Sequence, residues 1–148
     1  MSRSKIELPG NLLTTVTIAV RITDINYGNH TGNDAMVGLI QECRMMWLNK
    51  YGFTELNTGG SGLIISDIVV EFISESFYGD VLEIKLFVGE ISKKSFELFY
   101  SVSTLRDKTE KLVAKAKTNM VCYDYGFKKA VNIPDGLMKL LNGGSLVD

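Results

Sequence analysis

The hydrophobic spacing of this chain changes period twice, and that pattern limits what it can fold into. From Thr14 to Ile25 it alternates, with Val16, Ile18, Val20 and Ile22 on one side and Thr15, Thr17, Ala19 and Arg21 on the other. A period of two predicts a half-buried strand. From Asn33 or Asp34 to Tyr51 the spacing becomes three and four, through Met36, Ile40, Cys43 and Trp47, with Leu39, Met46 and Leu48 beside them. That predicts one helix of about five turns. Asn33 or Asp34 is placed to cap its start and Gly52 to stop it. Its apolar surface is broad, so cover on most sides is expected.

Period two then returns. Leu63–Ser74, Val81–Glu90, Phe96–Thr104 and Lys111–Tyr125 read as four more strands, the last with Lys115, Lys117 and Asn119 on a wetter face. Glycines 59, 60 and 62 mark a flexible connection before them. Tyr78-Gly79-Asp80, Ser92-Lys93-Lys94 and Asp107-Lys108-Thr109 are joints of hairpin size, which predicts antiparallel neighbours in series. Pro134 to Leu141, closed by Gly143, predicts a short final helix. A lone apolar helix needs a surface, and a curled five-stranded sheet supplies one. The expected fold is α+β, a single domain over residues 1–148 with its core at about 14–137.

Composition narrows the function. With 16 basic and 17 acidic residues the chain has no cationic excess for a phosphate backbone, so nucleic-acid binding is not expected. A single histidine rules out a His-rich metal site and makes a zinc site a poor fit; no metal or cofactor is expected. Cys43 and Cys122 lie in apolar runs and read as buried free thiols. Met1 to Leu12 has no apolar core of a signal peptide, and no stretch reaches membrane-spanning length. No membrane partner and a cytoplasmic location are expected.

One segment carries the chemistry. Asp24-Ile25-Asn26-Tyr27-Gly28-Asn29-His30-Thr31-Gly32-Asn33-Asp34 joins the first strand to the start of the long helix and holds the only histidine. A helix start carries unpaired N–H groups and partial positive charge, which suits a polarised carbonyl oxygen or an oxyanion. A plain loop of turn-forming residues is the alternative. No nucleophile elbow, phosphate loop or zincin helix is present.

The run from Asp24 through Arg44 resembles the hot-dog thioesterases of the 4-hydroxybenzoyl-CoA thioesterase group. Their loop has two aspartates one residue apart, then often Gly-His-Val-Asn-Asn, then a helix with a Glu-x-x-Arg-like segment. Asp24 matches the first aspartate, and Asn26 stands at the second. His30 and Asn33 match the His and last Asn, with Asn29 and Gly32 at the Gly and first Asn. Gln41 and Arg44 fall at the helical Glu and Arg. Tyr78-Gly79-Asp80, Ser95-Phe96, Val113-Ala114 and Val121-Cys122-Tyr123-Asp124 extend the likeness. In related plant thioesterases Asp, Asn and His are spaced two apart; here those places hold Asn26, Gly28 and His30.

The resemblance implies an acyl-CoA thioesterase with no cofactor, working as a homodimer or dimer of dimers, its site completed by residues around Ser61 to Asp67 of the partner subunit. Asn26 cannot serve as base or nucleophile, so His30 is the expected base, with Asp24, Asp34 or Glu42 as candidate carboxylates. Capping the helix is the leading reading of Asp34, and a solvated or Arg-paired glutamate is that of Glu42. Backbone N–H groups near Asn33 and Asp34 would hold the oxygen. Met36, Val37 and Ile40 line an acyl slot or belong to the core. Arg106, Lys108, Lys93 and Lys94 meet the CoA phosphates or are solvated hairpin tips. A hot-dog protein that binds acyl-CoA without hydrolysis is the second reading, and a hot-dog dehydratase the third.

Overall fold

A computed structural model describes residues 5–143; the reading of the N-terminal segment falls partly on residues 1–4, outside them. In chain order the elements are β1 (Asn11–Ala19), a single 3-10 turn (Ile22–Asp24), α1 (Asn33–Lys50), β2 (Gly62–Phe72), β3 (Val81–Ile91), β4 (Ser95–Arg106), β5 (Thr109–Asp124), β6 (Lys129–Ala130) and α2 (Asp135–Leu141). Alternation placed the long strands well because one face of each is buried. Leu82, Ile84, Leu86 and Val88 of β3, and Phe96, Leu98, Tyr100 and Val102 of β4, are all buried. They form one cluster with Met36, Leu39, Ile40, Cys43, Trp47 and Leu48 of α1. The helix thus rests in an antiparallel sheet, the hot-dog architecture. Beyond the five expected strands, two-residue β6 pairs with the end of β5.

The pairing order departs from the expected series. The sheet runs β1-β3-β4-β5-β2, all antiparallel. Tyr78-Gly79-Asp80 is therefore not a hairpin: β2 lies at one edge beside β5, and the segment 73–80 crosses to β3 at the other side of the sheet. Periodicity defines the faces of a strand but not its neighbours. The joints around Lys93 and Lys108 are true hairpins. In the second, Asp107 and Lys108 both have positive φ, 53° and 64°, the conformation of a type I′ turn.

Three further expectations change. β1 ends at Ala19, and the chain then coils into the 3-10 turn, so Ile22 is exposed rather than on the strand's inner face. Neither Asn33 nor Asp34 caps α1: the N-cap is Gly32, which has no side chain to offer. Nor is α1 covered on most sides. Asp34, Gly38, Gln41 and Glu42 form an exposed stripe opposite the buried one. At its other end Gly52 stops the helix at φ 79°, as the sequence predicts. Gly59 and Gly60 adopt positive φ in the loop that follows.

Candidate active site

The loop between β1 and α1 is closed on itself by its backbone. Ile25 bridges Thr31, the Asn26 N–H donates to the His30 carbonyl at 3.0 Å, and the Asn29 N–H donates to the Asn26 carbonyl at 3.0 Å. Asn29 takes φ 69°, a conformation asparagine tolerates. The Asn26 side-chain oxygen accepts the Gly28 N–H at 2.9 Å. A side chain at residue 28 would meet both groups: an ideal Cβ there lies 3.2 Å from Asn26 Oδ1 and 3.3 Å from His30 Nε2. Asn26, Gly28 and His30, two apart in sequence, therefore converge in space.

Half-buried His30 places Nδ1 3.2 Å from the Thr31 carbonyl oxygen. A carbonyl only accepts, so Nδ1 carries the proton of the neutral ring and Nε2 keeps its lone pair. The ring lines a cavity of about 200 Å³ with Thr31, Asn33 and Met36 from the helix start, Phe72 to Ser76 from the end of β2 and the crossing segment, and Val113 of β5. Its walls are clipped together by buried groups. The Thr31 N–H donates to the Ser76 carbonyl at 2.8 Å, and the Ser76 hydroxyl donates to Thr31 Oγ1 at 2.7 Å. Because no side chain caps α1, its first-turn N–H groups stay available beside Asn33. The cavity is thus lined by the histidine, by residues of the uncapped helix start and by an apolar wall.

The expected carboxylates lie elsewhere. Asp24 is buried and bound to Arg21: its Oδ2 accepts the Arg21 backbone N–H at 2.8 Å and Nε at 3.2 Å, and its Oδ1 accepts Nη2 at 3.0 Å. Burial by itself raises its pKa, yet the hydrogen bonds and charge of Arg21 outweigh that and hold it below the ordinary value. Its carbonyl accepts the Gly32 N–H at 2.9 Å, which anchors the helix start. Asp24, Asp34 and Glu42 face a separate groove of about 780 Å³ between β1 and α1, away from His30's cavity. Of the slot candidates, Met36 lines the cavity, Ile40 is buried in the core and Val37 is exposed.

The cationic candidates separate into two groups. Arg106 donates Nη2 to Asp80 Oδ2 at 2.6 Å and stacks 5.0 Å from the Phe77 ring, at the end of the sheet where Ser76 meets Thr31; Lys108 lies in the adjoining turn. Lys93 and Lys94 occupy the turn at the other end of β4, roughly 35 Å of extended chain away. The sequence reading missed the crossing segment Ser74–Ser76 as a cavity wall, because no local pattern announces a contact 45 residues from Thr31.

The helical Arg44 has a buried structural setting. Its Nη1 donates to Tyr100 Oη at 3.1 Å and its Nε to Glu55 Oε2 at 3.2 Å, and Tyr100 Oη lies 2.8 Å from Thr118 Oγ1. Burial also pushes the neighbouring Cys43 thiol up to about 12, so it is inert at neutral pH.

Comparison with known proteins agrees with this layout. A profile described as the thioesterase-like superfamily matches residues 20–141. A 1,4-dihydroxy-2-naphthoyl-CoA hydrolase of Nostoc punctiforme is 35% identical over 72 residues, 49% of this chain and 46% of that protein, so the match spans about half of that relative. The 1,4-dihydroxy-2-naphthoyl-CoA thioesterase of Synechocystis superposes with a TM-score of 0.77 at 19% identity, over 86% of this chain and 94% of that one. The 4-hydroxybenzoyl-CoA thioesterase of Pseudomonas sp. strain CBS-3 gives 0.75 at 21% identity, over 86% and 97%. Those two likenesses speak to the fold. The profile, which runs from the end of β1 through α2, speaks to descent: the chain belongs to the thioesterase-like superfamily.

Proposed function

We propose that this protein is an acyl-CoA thioesterase, and that His30 is the group that activates water. The observation that carries the reading is the pairing of a ring whose Nε2 is free to accept a proton with an uncapped helix start on the same cavity. The thioester carbonyl sits against the first-turn N–H groups beside Asn33 and Asp34, which favour the oxyanion of the tetrahedral intermediate. Met36 and Phe72 provide apolar contact for the acyl end. Asn26 and Asp24 shape the loop: one closes its turn, the other ties its base to Arg21.

The site is shared between two copies in this proposal. β2 is an edge strand, and its Ile65, Val69 and Phe72 are 43%, 45% and 43% exposed, which leaves an apolar edge to be covered. Pairing two β2 edges antiparallel sets Ser61 to Asp67 of the partner subunit beside Phe72. It also turns Lys93 of the partner subunit toward the end that carries Arg106 and Lys108. In this arrangement cations from both subunits would flank one CoA, which supports a role for Arg106, Lys108 and Lys93 toward its phosphates. Buried free thiols suit a reducing compartment and support a cytoplasmic location.

A second reading, acyl-CoA binding without turnover, is favoured by Asn26, a neutral amide already committed to the Gly28 N–H. Thiol release from a panel of aromatic, short-chain and long-chain acyl-CoAs separates the two. The thioesterase reading expects turnover that His30→Ala lowers by about a hundredfold or more, as for loss of a general base. Measurable binding with no turnover by the unaltered protein would establish the binding module instead.

A further inference from the structure

The polar groups lining the His30 cavity can be accounted for one by one. The Ser74 hydroxyl donates to the Leu112 carbonyl at 2.6 Å, and the Thr31 and Ser76 hydroxyls hold each other and the Ser76 carbonyl. His30 Nδ1 is taken by the Thr31 carbonyl. The polar side chains that remain among the lining residues are those of His30, Asn33 and Glu75. Glu75 is exposed at the rim, and no ion pair among the described residues engages it. Among the described residues it is the one carboxylate-bearing residue lining this cavity, while Asp24, Asp34 and Glu42 line the other groove.

We infer that Glu75 is a catalytic residue of the proposed hydrolysis, holding the attacking water jointly with His30. The inference rests on the thioesterase reading and deepens it by naming the carboxylate that Asn26 cannot supply. A water has two O–H donors and needs a lone pair left over for the carbonyl carbon. One O–H donates to Nε2 and the other to the Glu75 carboxylate, so the free lone pair points into the cavity toward the helix start. As the water oxygen bonds to the thioester carbon, its proton passes to Nε2 and the carbonyl oxygen becomes an oxyanion. When the intermediate collapses, the C–S bond breaks and the imidazolium returns that proton to the departing thiolate. The products are the carboxylic acid and the thiol. The position of Glu75 follows from the crossing segment. Because β2 pairs with β5 rather than β3, residues 73–80 must pass the start of α1, and the Thr31–Ser76 clip fixes the residue next to Ser76 against the cavity.

The test is steady-state kinetics of Glu75→Ala and Glu75→Gln with the best acyl-CoA of the panel, with and without added formate. The expected result is kcat lower by about a hundredfold with KM within about twofold, the pattern for a group that acts on the reacting water. Formate, a free carboxylate small enough for the vacated space, is expected to restore part of the activity of Glu75→Ala and none of Glu75→Gln. A purely structural role would not show that rescue. Wild-type kcat in both variants, or a loss that formate does not relieve, overturns the assignment while leaving the thioesterase reading intact. Absence of thiol release by the unaltered protein removes both.

Discussion

At the scale of single residues, the first aspartate of the resemblance changes role. Its type and place suggested chemistry, but its partner decides what it does. With folding the Asp24 carboxyl gains Arg21 and its pKa falls below the ordinary 3.8, against the upward push of burial. A group lowered on folding contributes stability above its unfolded pKa and loses it as the pH drops through the folded value. Asp24→Asn is therefore expected to cost about 1–3 kcal/mol at pH 7, the range for breaking a buried charged hydrogen-bond set. The gap to wild type should begin to narrow below about pH 4, where the unfolded carboxyl protonates, and go on narrowing as the pH falls through the lower native value. Urea unfolding at pH 7 and pH 3 measures it; an equal gap at both would show that shape rather than charge matters at this position. Gly28 makes a second case. Its open space is what lets His30 Nε2 and Asn26 Oδ1 approach, so Gly28→Ala should lower turnover while leaving the unfolding midpoint nearly unchanged.

At the scale of elements, two glycines with the same residue type have opposite expectations. Gly38 is mid-helix on the exposed stripe, and a Cβ there meets nothing within 4 Å. Gly38→Ala should stabilise α1 by about 0.5–1 kcal/mol, raising Tm by roughly 1–4 °C for a chain of this size. Gly89 sits at the irregularity of β3, where the Glu90 N–H donates to Glu97 Oε1. A Cβ there would lie 2.5 Å from the Phe99 ring and 2.8 Å from Glu97 Oε1. Gly89→Ala should destabilise by about 1–3 kcal/mol, as for other overpacked sites. Thermal unfolding of the pair checks both signs. The helix itself was readable from the spacing of Met36, Ile40, Cys43 and Trp47, because a buried stripe imposes its period on the sequence. Its exposed stripe was overestimated as covered because Val37 and Met46 are apolar yet lie outside the core.

At the scale of the whole molecule, the edge strand and the cavity are linked. Ile65 and Val69 lie on the open edge of β2, a short way from the cavity wall at Phe72. In the proposed dimer, glutamates at both positions should yield a monomer in analytical ultracentrifugation and abolish thiol release, even though neither residue lines the cavity. A variant that stays dimeric, or a monomer with full activity, would place the subunit contact or the site elsewhere. The opposite, outer face of the sheet is crossed by the chain's own beginning: Lys115 Nζ donates to the Ile6 carbonyl at 3.3 Å, and Ile6 is buried. Nothing in the period of residues 5–10 foretold that contact.

Periodicity and turn chemistry alone determined the long elements, the buried face of the long strands and the place where the polar loop that holds the only histidine meets a helix. Those are local properties: burial on one side repeats along a strand or helix, and glycine marks a positive φ where it occurs. Only the tertiary structure decided that β2 would pair with β5, that the segment 73–80 would cross beside His30, and that Arg21 would claim Asp24. Such choices depend on which surfaces meet after the chain has folded back over tens of residues, and alternation is the same whichever neighbour a strand finds.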